Sequence, residues 1–166
     1  MFLPRVVNST DTIAPMTYTI HVDGGSRGNP GPSAAGFIVE DEQGTTVHRQ
    51  GIFLGRLTNN QAEYHGVVAA FQWLCHHIKR RGSAPASIFV ILDSELLVNQ
   101  LIGVFKIKSP ELRQLAIRAK SLEHSLGIPV SYRHVRREEN TNADRLVNIA
   151  LDQSEKEFDV KRGGRR

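Results

Sequence analysis

The segment Ser87–Leu92, SIFVIL, most constrains how this chain can fold. It is apolar after its first residue, too short for a packed helix, and bounded upstream by Arg80-Arg81-Gly82-Ser83. An unalternating apolar run of this length reads as a strand buried on both faces, as in sheets covered by helices on either side. An α/β architecture is therefore expected. A second segment, Thr17 to Val22, alternates and is rich in β-branched residues, so it too reads as a strand. The first run ends at Asp93 and the second at Asp23.

The remaining pattern fills in the sheet and its cover. Gly24, Gly25, Gly28, Pro30, Gly31 and Pro32 are expected to break regular structure. Ala35 to Asp41 and Thr45 to Leu54 read as strands joined by a turn at Gly44, which makes an antiparallel meander with the first. Asn59 or Asn60 caps a helix whose apolar positions from Ala62 include Val67, Phe71, Leu74 and Ile78, with Glu63 in its first turn. Ser94 opens a short helix ended by Gly103, and Ser109-Pro110-Glu111 opens another, with Leu112, Leu115, Ile117, Ala119, Leu122 and Leu126 as its apolar side. Pro129 to Val135 is a last strand, and a final helix opens near Asn142 and contains Asp144. The expected fold is a mixed five-stranded sheet, three antiparallel strands plus parallel ones, flanked by helices. Residues 17–154 form the domain, 1–16 an extension, and 155–166 a basic tail.

Bulk properties narrow the function classes. The 166 residues suffice for one buried core, and 21 Lys+Arg against 17 Asp+Glu favour polyanionic partners. No apolar run approaches the roughly 20 residues needed to cross a bilayer. Cys75 is the single cysteine, which excludes an internal disulfide and points to a reducing cytosol. We read Cys75 as a buried helix residue. A cytoplasmic monomer without membrane contact is the expectation.

Four carboxylates sit in short words: Asp23 in IHVDGGSRGNPGP, Glu63 in TNNQAEYHG, Asp93 in ILDSELLVNQ and Asp144 in ENTNADRLVN. Singly, each has an ordinary explanation, Asp23 as a turn residue and Glu63 and Asp144 as anions near helix starts. Together they point elsewhere. Adjacent strands that deliver Asp23 and Asp93 to one place repel unless a cation lies between them. Hard divalent cations take oxygen ligands, and a pair of them clamps the attacking and leaving oxygens of a phosphodiester.

From about Tyr18 to Ala150 these words resemble type 1 ribonuclease H, in the branch of archaea and many bacteria that lacks a basic protrusion. The words DGGSRGNPGPSAAG, TNNQAEY, DSELLVNQLIG followed by KIKSPEL, and REENTNADRLVN carry the likeness. The resemblance implies a ribonuclease H-like fold and endonucleolytic hydrolysis of the RNA strand of an RNA–DNA hybrid. It implies two Mg²⁺ or Mn²⁺ ions on Asp23, Glu63, Asp93 and Asp144, and 5′-phosphate and 3′-hydroxyl ends. Gly28, Asn29 and Asn60 match positions that touch nucleic acid in the family, with Glu95 or Gln100 as further candidates for reading the 2′-hydroxyl. Asn29, Arg56 and Thr58 match the family's pocket for a DNA phosphate.

The chain departs from the family in one respect. Many members carry a catalytic His in a flexible loop before the last Asp; here His134 stands in a strand-like segment, and Arg137 occupies the place of an Arg found in this branch. Arg137 is the preferred auxiliary group over His134. Lys161, Arg162, Arg165 and Arg166 suit nonspecific phosphate contact. Two alternatives stay open: a broader nuclease that also cuts double-stranded RNA, and a nonenzymatic module that binds hybrids.

Overall fold

The computed structural model describes residues 16–163. Five strands form one sheet in the order β3-β2-β1-β4-β5: β1 Thr17–Ser26, β2 Gly31–Glu40, β3 Thr46–Leu57, β4 Ser87–Leu92 and β5 Val130–His134. The first three are antiparallel neighbours, and β4 and β5 run parallel to the central β1. The helices are α1 Asn59–Arg81, α2 Glu95–Leu101, α3 Pro110–Leu126 and α4 Thr141–Gly163. The mixed five-stranded sheet expected from the sequence is present.

The main core lies between the sheet and α1, α2 and α3. Tyr18, Ile20, Val22, Ile88, Val90 and Leu92 turn one face of the sheet toward Val67, Phe71, Leu74, Ala116 and Ala119, all buried. The other face is covered by α4, which packs on β1, β2 and β3 through Val147, Ala150 and Leu151.

The layout corrects several expectations. β4 is not buried on both faces: Phe89 is 45% exposed, because α4 lies over β1 to β3 and leaves the outer face of β4 open. The glycine-rich stretch does not break β1, which continues through Gly24 and Gly25 paired to Ala35 and Ala34. Helix α1 is capped by Thr58, not by Asn59 or Asn60. The Thr58 hydroxyl accepts from the Gln61 N–H, and the Gln61 side chain accepts from the Thr58 N–H, the reciprocal pair that fixes a helix start. Glu63 consequently lies beyond the first turn, and its carboxylate has no role there as a dipole partner. In α3 Leu112, Leu115, Leu122 and Leu126 pack on the core with the buried Ala116 and Ala119, as expected, but Ile117 is 64% exposed. Cys75 is only half-buried.

α4 begins at Thr141 and runs without a break across Ser154 and Glu155, where the sequence reading ends the domain, to Gly163. Ser154 is buried and its hydroxyl bonds back to the Leu151 carbonyl. Residues 1–15, and Arg165 and Arg166 of the basic tail, lie outside the described residues. Among the described residues no helix is long and apolar enough to cross a membrane.

Candidate active site

Parallel pairing of β1 with β4 aligns His21 with Ile91, so the next residues outward on the same face, Asp23 and Asp93, emerge side by side. Glu63 is brought to them by backbone proximity. A Cβ on Gly24 would stand 2.3 Å from the Ala62 carbonyl carbon and from the Glu63 nitrogen, so only glycine lets α1 lie this close to β1. Asp144 comes from the opposite layer, where α4 crosses β2 at Gly36; a Cβ there would meet the Ala143 oxygen at 2.9 Å.

Oxygens of Asp23, Glu63 and Asp93 lie within 4.8 Å of one another. Asp144 stands at the rim of this group and is held otherwise. Its Oδ1 accepts from Arg137 Nη2 at 3.3 Å, and its Oδ2 accepts from Asn148 Nδ2 at 3.2 Å. The four carboxylates, Arg137 and Asn148 line one open pocket of about 500 Å³.

The electrostatics of the pocket are those of anions crowded out of water. Burial pushes the Asp23 carboxyl up to about 7, helped by the charges of Asp93 and Asp144 and opposed by the Gly24 N–H and Arg137. Burial raises Glu63 to about 8; the Ser94 hydroxyl works against this and the charges of Asp23 and Asp93 reinforce it. Asp93 is raised for the same first reason, burial. Glu63 Oε2 is buried without a hydrogen-bond partner. Such an arrangement costs stability unless a cation satisfies it, and oxygen donors of this kind suit a hard divalent ion.

The other sequence candidates fall around the pocket. Arg137 lines it, whereas His134 is exposed at the end of β5 and reaches the group only through its charge, which lowers the Asp93 carboxyl. Asn29 accepts from the Asn59 N–H at 3.1 Å, and Gly28 adopts φ +95°, a left-handed conformation that favours glycine. Asn29, Thr58 and Asn60 share a shallow groove with Ser109 and Glu111. Arg56 is exposed on β3 and does not line that groove. Gln100, which accepts from the Tyr64 hydroxyl at 2.9 Å, joins Asn60 in a second groove with Phe105, Lys106 and Lys108. Glu95 is exposed at the start of α2.

Sequence reasoning missed Asn140, Asn148 and Arg27. Asn148 was findable, since it stands one helical turn after Asp144. Cys75 does not line the pocket, and burial raises its thiol, which fits no nucleophilic role.

A central mixed sheet in which α1 and α4 bring carboxylates to the ends of two parallel strands defines a ribonuclease H-like protein. A family model described as reverse transcriptase-like matches residues 21–150. The ribonuclease HI of Halobacterium salinarum is 38% identical over 136 residues, 80% of this chain and 63% of that protein. A bifunctional protein of Mycobacterium tuberculosis is 40% identical over 140 residues, 82% of this chain. This chain spans about a third of that relative's length, 36%. The solved ribonuclease H domain of the mycobacterial protein superposes with a TM-score of 0.75 at 37% identity, covering 86% of this chain and 99% of that one. LC11-RNase H1, solved in complex with an RNA/DNA hybrid, gives a TM-score of 0.78 at 35% identity, covering 82% and 98%. The chain belongs to the type 1 ribonuclease H family.

Proposed function

We propose that this protein is an endonuclease that hydrolyses the RNA strand of RNA–DNA hybrids and leaves 5′-phosphate and 3′-hydroxyl ends. The observation that carries the proposal is the clustering of Asp23, Glu63 and Asp93 oxygens within 4.8 Å, with Glu63 Oε2 buried and unpartnered. These three residues and Asp144 would hold two Mg²⁺ or Mn²⁺ ions. When bound, such ions activate a water for in-line attack and stabilise the departing 3′ oxygen.

The chain's own residues supply the rest. Burial raises the Asp23 and Glu63 carboxyl groups, and bound cations would favour their ionised forms. Arg137, 79% exposed at its side chain, is free to pivot between Asp144 and a substrate phosphate. It brings fixed charge and hydrogen bonds, not proton transfer. Asn29 and Asn60, which share a groove, and the exposed Gly28 would contact the 2′-hydroxyls of an A-like duplex. The DNA strand's phosphates fall to Thr58, Asn29 and Arg56.

The test presents one end-labelled sequence as RNA–DNA hybrid, double-stranded RNA, single-stranded RNA and DNA duplex, with Mg²⁺, Mn²⁺ or EDTA. Cutting confined to the hybrid's RNA strand, abolished by EDTA and by Asp93→Asn, is the expected result. Equal cutting of double-stranded RNA would widen the substrate class. Tight hybrid binding without cutting would replace the enzyme by a binding module.

A further inference from the structure

The connection between β1 and β2 is Arg27-Gly28-Asn29-Pro30, closed on itself by the Arg27 N–H donating to the Pro32 carbonyl at 2.8 Å. On one side it is tied to the start of α1 through the Asn59 N–H and Asn29 Oδ1. On the other side a single side chain ties it to α4. Arg27 Nη2 donates to Asp152 Oδ1 at 2.6 Å, and Nη1 donates to Glu155 Oε1 at 2.7 Å.

An isolated exposed ion pair contributes little, because water screens it and two flexible chains must be ordered. This one differs in geometry. Two nitrogens of one planar guanidinium meet two separate carboxylates, which fixes the plane as well as the position. The acids stand three residues apart on one side of a helix whose adjoining residues, Leu151 and Ser154, are 3% and 7% exposed, so they form a seated support. Arg27 and Leu151 both line the acidic pocket.

We infer that Arg27, Asp152 and Glu155 form a clamp that sets the gap between the Gly28–Asn29 connection and α4, with Arg27 a positioning residue for substrate binding. The inference rests on the hybrid-cleaving reading. A competing arrangement uses the same groups otherwise: Arg27 contacts a substrate phosphate directly, and Asp152 and Glu155 compete with that phosphate.

Three variants separate the two: Arg27→Gln, Asp152→Asn with Glu155→Gln, and all three together. For the clamp, each of the first two raises KM for the hybrid about fivefold, and the triple variant is no worse than either. kcat stays within about twofold, because the metal carboxylates are untouched. Amide hydrogen exchange at residue 27 and at Asn59, whose N–H groups donate to the Pro32 carbonyl and to Asn29 Oδ1, quickens in every variant without substrate. Unchanged exchange overturns the clamp whatever the enzyme acts on. If the Asp152/Glu155 double variant binds hybrid as well as or better than the parent while Arg27→Gln binds worse, the guanidinium is a phosphate ligand and the clamp is wrong. A parent protein that neither binds nor cuts the hybrid overturns the functional reading, and the exchange measurement still judges the clamp.

Discussion

The side-chain amide of Asn140 donates to the Val22 carbonyl at 2.9 Å, joining the turn before α4 to the residue that precedes Asp23. Asn140 is 1% exposed, and its own carbonyl accepts from the Asp144 N–H at 3.2 Å. One buried residue, through its side chain on β1 and its backbone carbonyl on α4, therefore links the segments that carry two of the four carboxylates. Its Oδ1 is buried without a partner.

Replacing Asn140 by Ala strips the Val22 carbonyl of that donor and opens a small void. A loss of about 1–3 kcal/mol in stability is expected from the unpaired buried group. Weaker Mg²⁺ affinity should accompany it, since the start of α4, and Asp144 with it, loses its side-chain tie to β1 beside Asp23. Denaturant unfolding and a metal titration monitored by activity measure the two effects; a destabilised variant with unaltered metal dependence would confine Asn140 to the scaffold.

Removing metal makes stability depend on pH in a defined direction. Asp23 and Glu63 titrate near 7 and 8 folded, above the ordinary values of 3.8 and 4.5. Between those limits the folded state holds protons that the unfolded chain has released, so stability falls as pH rises. In EDTA the melting temperature should decline from about pH 5 to pH 8, and Mg²⁺ should restore most of the loss at the upper end. Glu63→Gln should flatten the decline while abolishing hydrolysis. Thermal melts across pH, with and without metal, decide it; a rising curve in EDTA would contradict the raised carboxyl values.

Much of this fold and site was legible because the informative residues lie in local patterns: alternation in β1, the apolar run of β4, and an acid in each word. What was hidden depends on the second layer. The run SIFVIL is the same whether or not a helix crosses its outer face, so the exposure of Phe89 could not be read from it. Thr58, Asn59 and Asn60 are all good caps by type, and the choice falls to Gln61, whose side chain reaches only Thr58. Gly24 read as a breaker, whereas in the sheet its missing Cβ is what admits α1. Residues 155–163 carry too few apolar groups to nucleate a helix, but α4 already supplies the nucleus that they extend.

Arg137 and His134 make separable predictions. Arg137 donates to Asp144 and lines the pocket, while His134 touches the site only through its charge on Asp93. Arg137→Ala should lower kcat by roughly tenfold, the scale of one charge-assisted hydrogen bond. His134→Ala should leave kcat nearly unchanged. Steady-state rates at saturating Mg²⁺ for both variants provide the check, and a crippled His134 variant beside an active Arg137 variant would reverse the assignment.

Gly24 and Gly25 are neighbours in one strand, yet they should respond oppositely to an added methyl group. A Cβ on Gly24 would lie 2.3 Å from two backbone atoms at Ala62 and Glu63, and backbone cannot step aside as a side chain does. On Gly25 the nearest contact is Val147 Cγ1 at 3.4 Å, a side-chain methyl in ordinary reach. Gly24→Ala should therefore push α1 off β1, at a cost of about 3 kcal/mol or more, and carry Glu63 away from Asp23. Gly25→Ala should change stability by less than about 1 kcal/mol, because the conformation is an ordinary strand and the neighbour can yield. Urea denaturation of the two variants, followed by calorimetric Mg²⁺ titration of whichever folds, tests the reasoning. Equal tolerance at both positions would mean that α1 does not depend on this close approach to hold Glu63 in place.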